Sequence, residues 1–212
     1  MNKKEFDYVV IGAGIAGCSL AYFLSKYSKS ILLIDRNSQV AFGASGAAGA
    51  FLSPLLGKVN DFKDLITKSL IFSTNFYKNL GQELISNCGV CRIPKNQEDS
   101  DKFESYKPYM DFEYTQMNDG YFFEIGSQVT PSLICEKLTK DIEKKLSYNV
   151  IKLEQNENFT WIINDEICAK NIILTTGADV KHIKEEYFDI RGVWGQKIDV
   201  STTTETKINY HK

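Results

Sequence analysis

The chain has 212 residues, 43% hydrophobic and 25% charged, enough for one large or two small globular domains. Its net charge of −2 gives no global basic signal, which argues against binding to DNA or to an anionic membrane. Five cysteines without a framework spacing, and no export signal read at the start, make the cytoplasm the expected compartment.

Tyr8–Ile11 is a short apolar run without alternation, the pattern of a parallel strand buried on both faces. Gly12, Gly14 and Gly17 follow at the spacing G-x-G-x-x-G, and a helix is predicted from about Ile15 to Tyr27, with Ala21 and Leu24 on its sheet-facing side. Ile31–Ile34 reads as a second strand ending at Asp35. Each position has a physical task. Gly12 makes the tight turn, Gly14 lets a pyrophosphate approach the backbone, and Gly17 lets helix and strand pack closely. The free N–H groups and dipole of the helix start face the phosphates, and Asp35 accepts from ribose hydroxyls. The strand before, the helix after and the acid at this distance read as a dinucleotide site, with NAD and FAD both open. The stretch Val9–Leu24 is too short, and too interrupted by glycine, to span a membrane.

Next comes a loop of small residues, Gly43-Ala44-Ser45-Gly46-Ala47-Ala48-Gly49, bracketed by Phe42 and Phe51. Almost bare backbone invites close approach by something large and flat, with Ser45 as a donor, which tilts the site toward a flavin. A helix capped by Asn60 or Asp61 and stopped by Gly81 carries Phe62, Leu65, Ile66, Leu70, Phe76, Tyr77 and Leu80 on one face, expected to be core.

Residues 88–126 are rich in aromatics and charges and read as an excursion into a second domain. Val90–Ile93 and Tyr121–Ile125 are strand-like; Asn96–Lys102 is expected as a surface loop. Cys88-x-x-Cys91 has a metal or redox spacing, but the only histidines are His182 and His211 and no second such pair exists. These cysteines are therefore expected to be buried and structural, with no metal bound.

Thr130 is placed to cap, and Pro131 to open, a helix reaching about Leu146. Asn149–Leu153 and Phe159–Ile163 alternate as strands around a polar turn. Ile172–Leu174 ends in Thr175-Thr176-Gly177-Ala178, a second glycine turn at a strand's C-terminal end, where ligands sit in open α/β sheets. The tail from Phe188 reads as strands again.

Gly12-x-Gly14-x-x-Gly17-x-x-x-Ala21-x-x-Leu24, Asp35-Arg36, Gly43–Gly49 and Thr176-Gly177 together resemble the FAD-dependent oxidoreductases of the D-amino-acid oxidase type. Gly126–Pro131 and Arg191-Gly192 are similar to weaker steps of the same family. Gly43–Ala50 followed by Leu52-Ser53-Pro54-Leu55 most resembles the oxidase domain of bifunctional enzymes that modify tRNA wobble uridines. The resemblance implies FAD held by Gly12, Gly14, Ile15, Ala16 and Gly17 at the pyrophosphate, Asp35 at the ribose and Arg36 beside the adenine. It further implies Ala44, Ser45, Gly46 and Ala47 near the pyrophosphate and flavin, the Val150 backbone at the adenine, and Thr176 and Gly177 closing over the cofactor.

The implied fold is α/β: a doubly wound, Rossmann-like FAD domain (residues 1–86 and 127–186) with a partial, mainly antiparallel substrate domain (87–126 and 187–212). The implied reaction is oxidation of a C–N bond by hydride transfer to flavin. Its substrate is a small amine, an amino-acid-like molecule or a modified tRNA uridine. No side chain is assigned as catalytic; Arg191 is placed to meet a substrate carboxylate, and Tyr210, next to His211, to line a pocket. An NAD(P)-dependent reductase and a non-catalytic nucleotide-binding module are the alternatives. Members of the family usually run well beyond this length, so a truncated chain is expected.

Overall fold

The computed structural model describes residues 4–118, 120–179 and 190–212. In chain order the elements are β1 (Glu5–Ile11), α1 (Ile15–Leu24), β2 (Ile31–Ile34), α2 (Ala44–Ala47), β3 (Phe51–Leu52), α3 (Lys63–Leu80), β4 (Ile85–Ser86), β5 (Val90–Arg92), α4 (Gln97–Tyr106), β6 (Thr115–Met117) and β7 (Gly120–Phe123). They continue as β8 (Ser127–Val129), α5 (Pro131–Leu138), β9 (Glu143–Lys145), β10 (Leu153–Gln155), β11 (Trp161–Ile163), β12 (Ile167–Leu174) and β13 (Asn209–His211). Two compact units result: residues 1–48 with 131–197, and residues 49–130 with 198–212.

The first unit is an α/β fold on a six-stranded sheet of order β10-β11-β12-β1-β2-β9. β1 is parallel to both β12 and β2, and β2 to β9, while β10 and β11 run antiparallel at one edge. A strand flanked on both sides and covered on both faces must be apolar throughout its middle, and Val9 and Val10 are wholly buried. Phe6, Val9, Ile11, Leu32, Ile34, Val150, Ile163, Ile167 and Ala169 form a core cluster here. α1 turns Gly17, Cys18 and Ala21 inward; these small side chains let it lie close to the sheet.

The second unit carries a four-stranded sheet, β13-β5-β7-β6, and a three-stranded one, β3-β8-β4. Its core gathers Leu56, Val90, Phe103, Tyr121 and Phe123. Because β3 and β4 both pair with β8, residues 49–86 cluster with 87–126, so the contacts divide the chain at 48 rather than at 86.

Several elements differ from the sequence reading. α1 ends at Leu24, where Ser25 Oγ donates to the Tyr22 carbonyl at 2.7 Å. The small-residue loop contains a one-turn helix, α2. The apolar stripe of α3 is not all core: Leu70 is buried, but Phe62 and Leu65 are 64% and 61% exposed. The polar stretch expected as a loop is α4. Asn96 Oδ1 accepts from Asp99 N–H at 2.9 Å, Glu98 and Asp99 occupy the first turn, and Phe103 anchors the helix in the core.

α5 stops at Leu138 rather than near residue 146, and the rest becomes β9, beside β2. The stop is built from Thr139, whose hydroxyl donates to the Cys135 carbonyl, and from Lys144, whose ammonium reaches the Thr139 and Ile142 carbonyls. Of the tail expected as strands, residues 190–208 have no regular structure, and only β13 forms. His182 and Phe188 lie outside the described residues. Cys91 is buried, whereas Cys88 is half-buried and its sulfur accepts from Asn209 Nδ2 at 3.0 Å. Among the described residues no helix is long and apolar enough to cross a membrane.

Candidate functional site

The C-terminal ends of β12, β1 and β2 lie side by side, and the segments leaving them build the site. After β1, Gly12 N–H donates to the Ile34 carbonyl at 2.8 Å and the chain turns with Gly12 at φ +111°, a region that disfavours any side chain. A Cβ on Gly12 would lie 2.4 Å from the Thr175 carbonyl oxygen, and one on Gly17 would lie 1.8 Å from the Gly12 carbonyl oxygen. The first turn of α1 is therefore pressed against the loop it leaves. Cys18 is buried beneath it, its Sγ donating to the Ala13 carbonyl at 3.4 Å. The hydrogen bond shared with Cys135, and then burial, push the Cys18 thiol far up, so it stays protonated.

The helix start is set up for an anion. Gly14, its cap residue, offers no side chain, and Ile15 N–H donates to Ser45 Oγ at 3.0 Å. The N–H groups of Ala16 and Gly17 have no acceptor among the described residues. A Cβ at Gly14 would sit 3.1 Å from Ser45 Oγ, so the space between loop and helix turn is kept clear by glycine. Donors without acceptors at a helix N-terminus, beside bare backbone, fit a pyrophosphate.

Asp35 stands just past β2. Its N–H donates to the Lys145 carbonyl at 3.2 Å, and its carbonyl accepts from Tyr148 N–H at 2.9 Å. Its carboxylate accepts from Ala13 N–H at 2.6 Å and from the backbone and side-chain nitrogens of Asn37 at 2.8 and 2.9 Å. A carboxylate has about four lone-pair sites, so three donors leave room for one ribose hydroxyl. Next to it, Arg36 Nη1 donates to Asp179 Oδ2 at 2.6 Å.

The loop Gly43–Gly49 folds back toward this place. Ala41 N–H donates to the Ala13 carbonyl at 2.8 Å, and α2 carries Ala44, Ser45, Gly46 and Ala47. Val150 is buried in the core, and its own backbone N–H and carbonyl are bonded to nothing among the described residues. Thr176 and Gly177 follow β12 directly, Gly177 being exposed at φ +65°.

All fourteen residues assigned to the cofactor from sequence thus belong to the first unit. Of the two substrate candidates, Arg191 is exposed in a stretch of the first unit without regular structure, and Tyr210 is half exposed on β13, an edge strand of the second unit. Sequence reasoning missed Thr175, whose Oγ1 donates to the carbonyls of Ile11 and Gly12 at 3.1 and 2.8 Å, and it missed Asp179. The two adjacent threonines at the end of an apolar strand were the available signal.

Comparison with known proteins bears on the family and the fold. A family model, FAD dependent oxidoreductase, matches residues 7–211. The chain is 22% identical over 233 residues to the tRNA 5-methylaminomethyl-2-thiouridine biosynthesis bifunctional protein MnmC of Legionella pneumophila, covering 97% of this chain and 34% of that protein. It is 27% identical over 213 residues to a D-amino acid dehydrogenase of Helicobacter pylori, covering 90% of this chain and 51% of the relative. The chain therefore spans a third to a half of the length of these curated relatives. Among solved structures, glycine oxidase from Geobacillus kaustophilus superimposes with a TM-score of 0.70 at 12% identity, over 82% of this chain and 56% of that one. L-alpha-glycerophosphate oxidase from Mycoplasma pneumoniae, solved with FAD bound, gives 0.69 at 18% identity, over 82% and 55%. These likenesses show the fold: an α/β fold with a mixed, Rossmann-like sheet, plus antiparallel sheets. The family match also decides between the flavin and nicotinamide readings in favour of the flavin.

Proposed function

Because the chain belongs to the FAD-dependent oxidoreductase family, we propose that it serves in oxidising a C–N bond of an amine, with its first unit holding the cofactor. The observation that carries this reading is the anion-ready start of α1, enclosed by Gly12, Ser45, Asp35 and Thr175. When bound there, the flavin supplies the hydride acceptor.

The chain's own residues bind and orient. The Ala16 and Gly17 N–H groups donate to phosphate oxygens. Asp35 accepts from the ribose, and the Val150 backbone meets the adenine. Ser45, Gly46 and Ala47 lie along the pyrophosphate and flavin, with Thr176 and Gly177 closing over them. A C–H bond adjacent to nitrogen needs positioning more than acid–base work, and Arg191 is retained as a candidate partner for a substrate carboxylate.

Two substrate classes are supported by the relatives. One is a free amino acid or small amine, as the names glycine oxidase and D-amino acid dehydrogenase indicate. The other is a modified tRNA uridine bearing a secondary amine, as the methylaminomethyl name indicates. Five free cysteines fit a cytoplasmic location for either.

The test begins with the visible spectrum of the purified protein, in which a flavin band is expected. Anaerobic titration with glycine, sarcosine, D-alanine and unmodified or wobble-modified tRNA should then bleach that band with one class. A protein that cannot bind FAD overturns the reading. Bound flavin that no amine reduces makes the unit a binding module instead. Loss of wobble-uridine modification on deleting the gene would assign the tRNA class.

A further inference from the structure

β12 and β2 are the two neighbours of β1, so their C-terminal ends lie about 10 Å apart with the end of β1 between them. Arg36 lies just beyond β2 and Asp179 in the turn beyond β12. Their ion pair, at 2.6 Å between residues 143 positions apart in sequence, therefore crosses the end of β1, where the glycine turn begins. Asp179 is held for this. Its N–H donates to the Thr176 carbonyl at 3.3 Å, closing a turn that contains Gly177. Asp179 Oδ2 takes the guanidinium, while Oδ1 is buried and has no donor among the described residues. A buried carboxylate oxygen with no donor is costly unless a ligand hydroxyl or N–H reaches it.

We propose that Asp179 is a cofactor-retaining residue: through Arg36 it straps the crevice over the bound dinucleotide, and through Oδ1 it accepts a hydrogen bond from a cofactor hydroxyl. The inference rests on the flavin reading above. The strap opens for the cofactor to enter or leave, so it governs the release rate. Arg36 is 61% exposed, so the pair is screened by salt, and release speeds up as ionic strength rises.

The test uses the full chain loaded with FAD and follows recovery of free-flavin fluorescence after dilution into excess unlabelled competitor nucleotide. Wild type should release FAD slowly at low salt and faster at high salt. Asp179→Asn should release it about threefold to tenfold faster at low salt and lose most of the salt dependence. Arg36→Gln should do the same, and the double variant should add little to either. Thermal melting of the FAD-free proteins, compared in parallel, identifies any variant that fails to fold. Asp179→Glu, which keeps the charge, should restore part of the salt dependence. Release rates and salt dependence equal to wild type in both single variants, or fully additive effects in the double variant, would overturn the strap while leaving the flavin reading intact. Failure of wild type to take up FAD would overturn both.

Discussion

Thr175 Oγ1 donates to the Gly12 carbonyl at 2.8 Å, so the residue that follows β12 fastens the turn that begins the cofactor loop. Thr175→Val keeps the shape and deletes the hydroxyl, leaving the backbone bond from Thr175 N–H to the Ile11 carbonyl in place. The variant should lose about 1–2 kcal/mol of stability in urea unfolding and bind FAD more weakly. Unchanged stability and affinity would show that the hydroxyl contributes nothing.

Glycine substitutions should separate by position. Gly17→Ala drives a methyl into the Gly12 carbonyl, where backbone rather than a flexible side chain must give. A loss of about 3 kcal/mol or more is expected, with loss of FAD binding. Gly43→Ala meets nothing within 4 Å and should stay within about 0.5 kcal/mol of wild type. Equal melting temperatures for the two variants would contradict this packing.

Asp35→Ala removes the acceptor of Ala13 N–H and of Asn37, as well as the oxygen left for the ribose. FAD affinity, measured by fluorescence quenching, should fall about tenfold or more, since charge-assisted hydrogen bonds contribute about 1.5–3 kcal/mol. Asp35→Glu, one methylene longer, should recover only part of it.

Acid should loosen the second unit through Asp99. The Lys95 N–H, the Arg92 guanidinium and their charges hold its carboxyl below the ordinary value of 3.8. A depressed carboxylate contributes stability above its unfolded pKa, and that contribution is lost as pH falls through the folded one. Urea midpoints should therefore hold steady above pH 3.8 and drop below it, and Asp99→Asn should flatten that fall. A profile identical to wild type in the variant would remove Asp99 from the account.

The helix at 97–106 makes a separate prediction. Asn96→Ala deletes the side chain that accepts from Asp99 N–H and should cost about 1 kcal/mol in the second unit. Helical signal unchanged and stability unchanged would mean the cap is idle.

What could be read without coordinates was local. The Gly12–Asp35 unit announces itself because strand, turn, helix and acid are consecutive, each fixed by short-range sterics. Thr130-Pro131 located the start of α5 for the same reason. What escaped depends on distant partners. Thr175 and Asp179 acquire meaning only because β12 pairs with β1 and its trailing turn reaches Arg36. The stretch 96–102 looks like a loop by composition, and only Phe103, inserted among Val90, Tyr121 and Phe123, makes it a helix worth forming. α5 ends early because residues 143–145 gain more by pairing with β2 than by prolonging a helix. The stripe on α3 misled in the opposite sense: helical spacing sets which residues share a face, not what covers that face.

The pairing of β1 with β12 has a consequence for how the molecule comes into being. Gly12 and Thr175 are 163 positions apart. At roughly 5–20 residues per second on a ribosome, about 8–33 s pass between synthesis of the first and of the second. During that interval β1 can join β2 on one edge but offers the other edge, and an apolar face, to whatever is near. The second unit, whose residues 49–130 are made in between, can gather its aromatic core while the first still waits. The nucleotide cradle is therefore completed only after β12 has been made, well after β1, and a nascent chain stalled before β12 would expose a bare strand edge as a target for chaperones or a seed for aggregation.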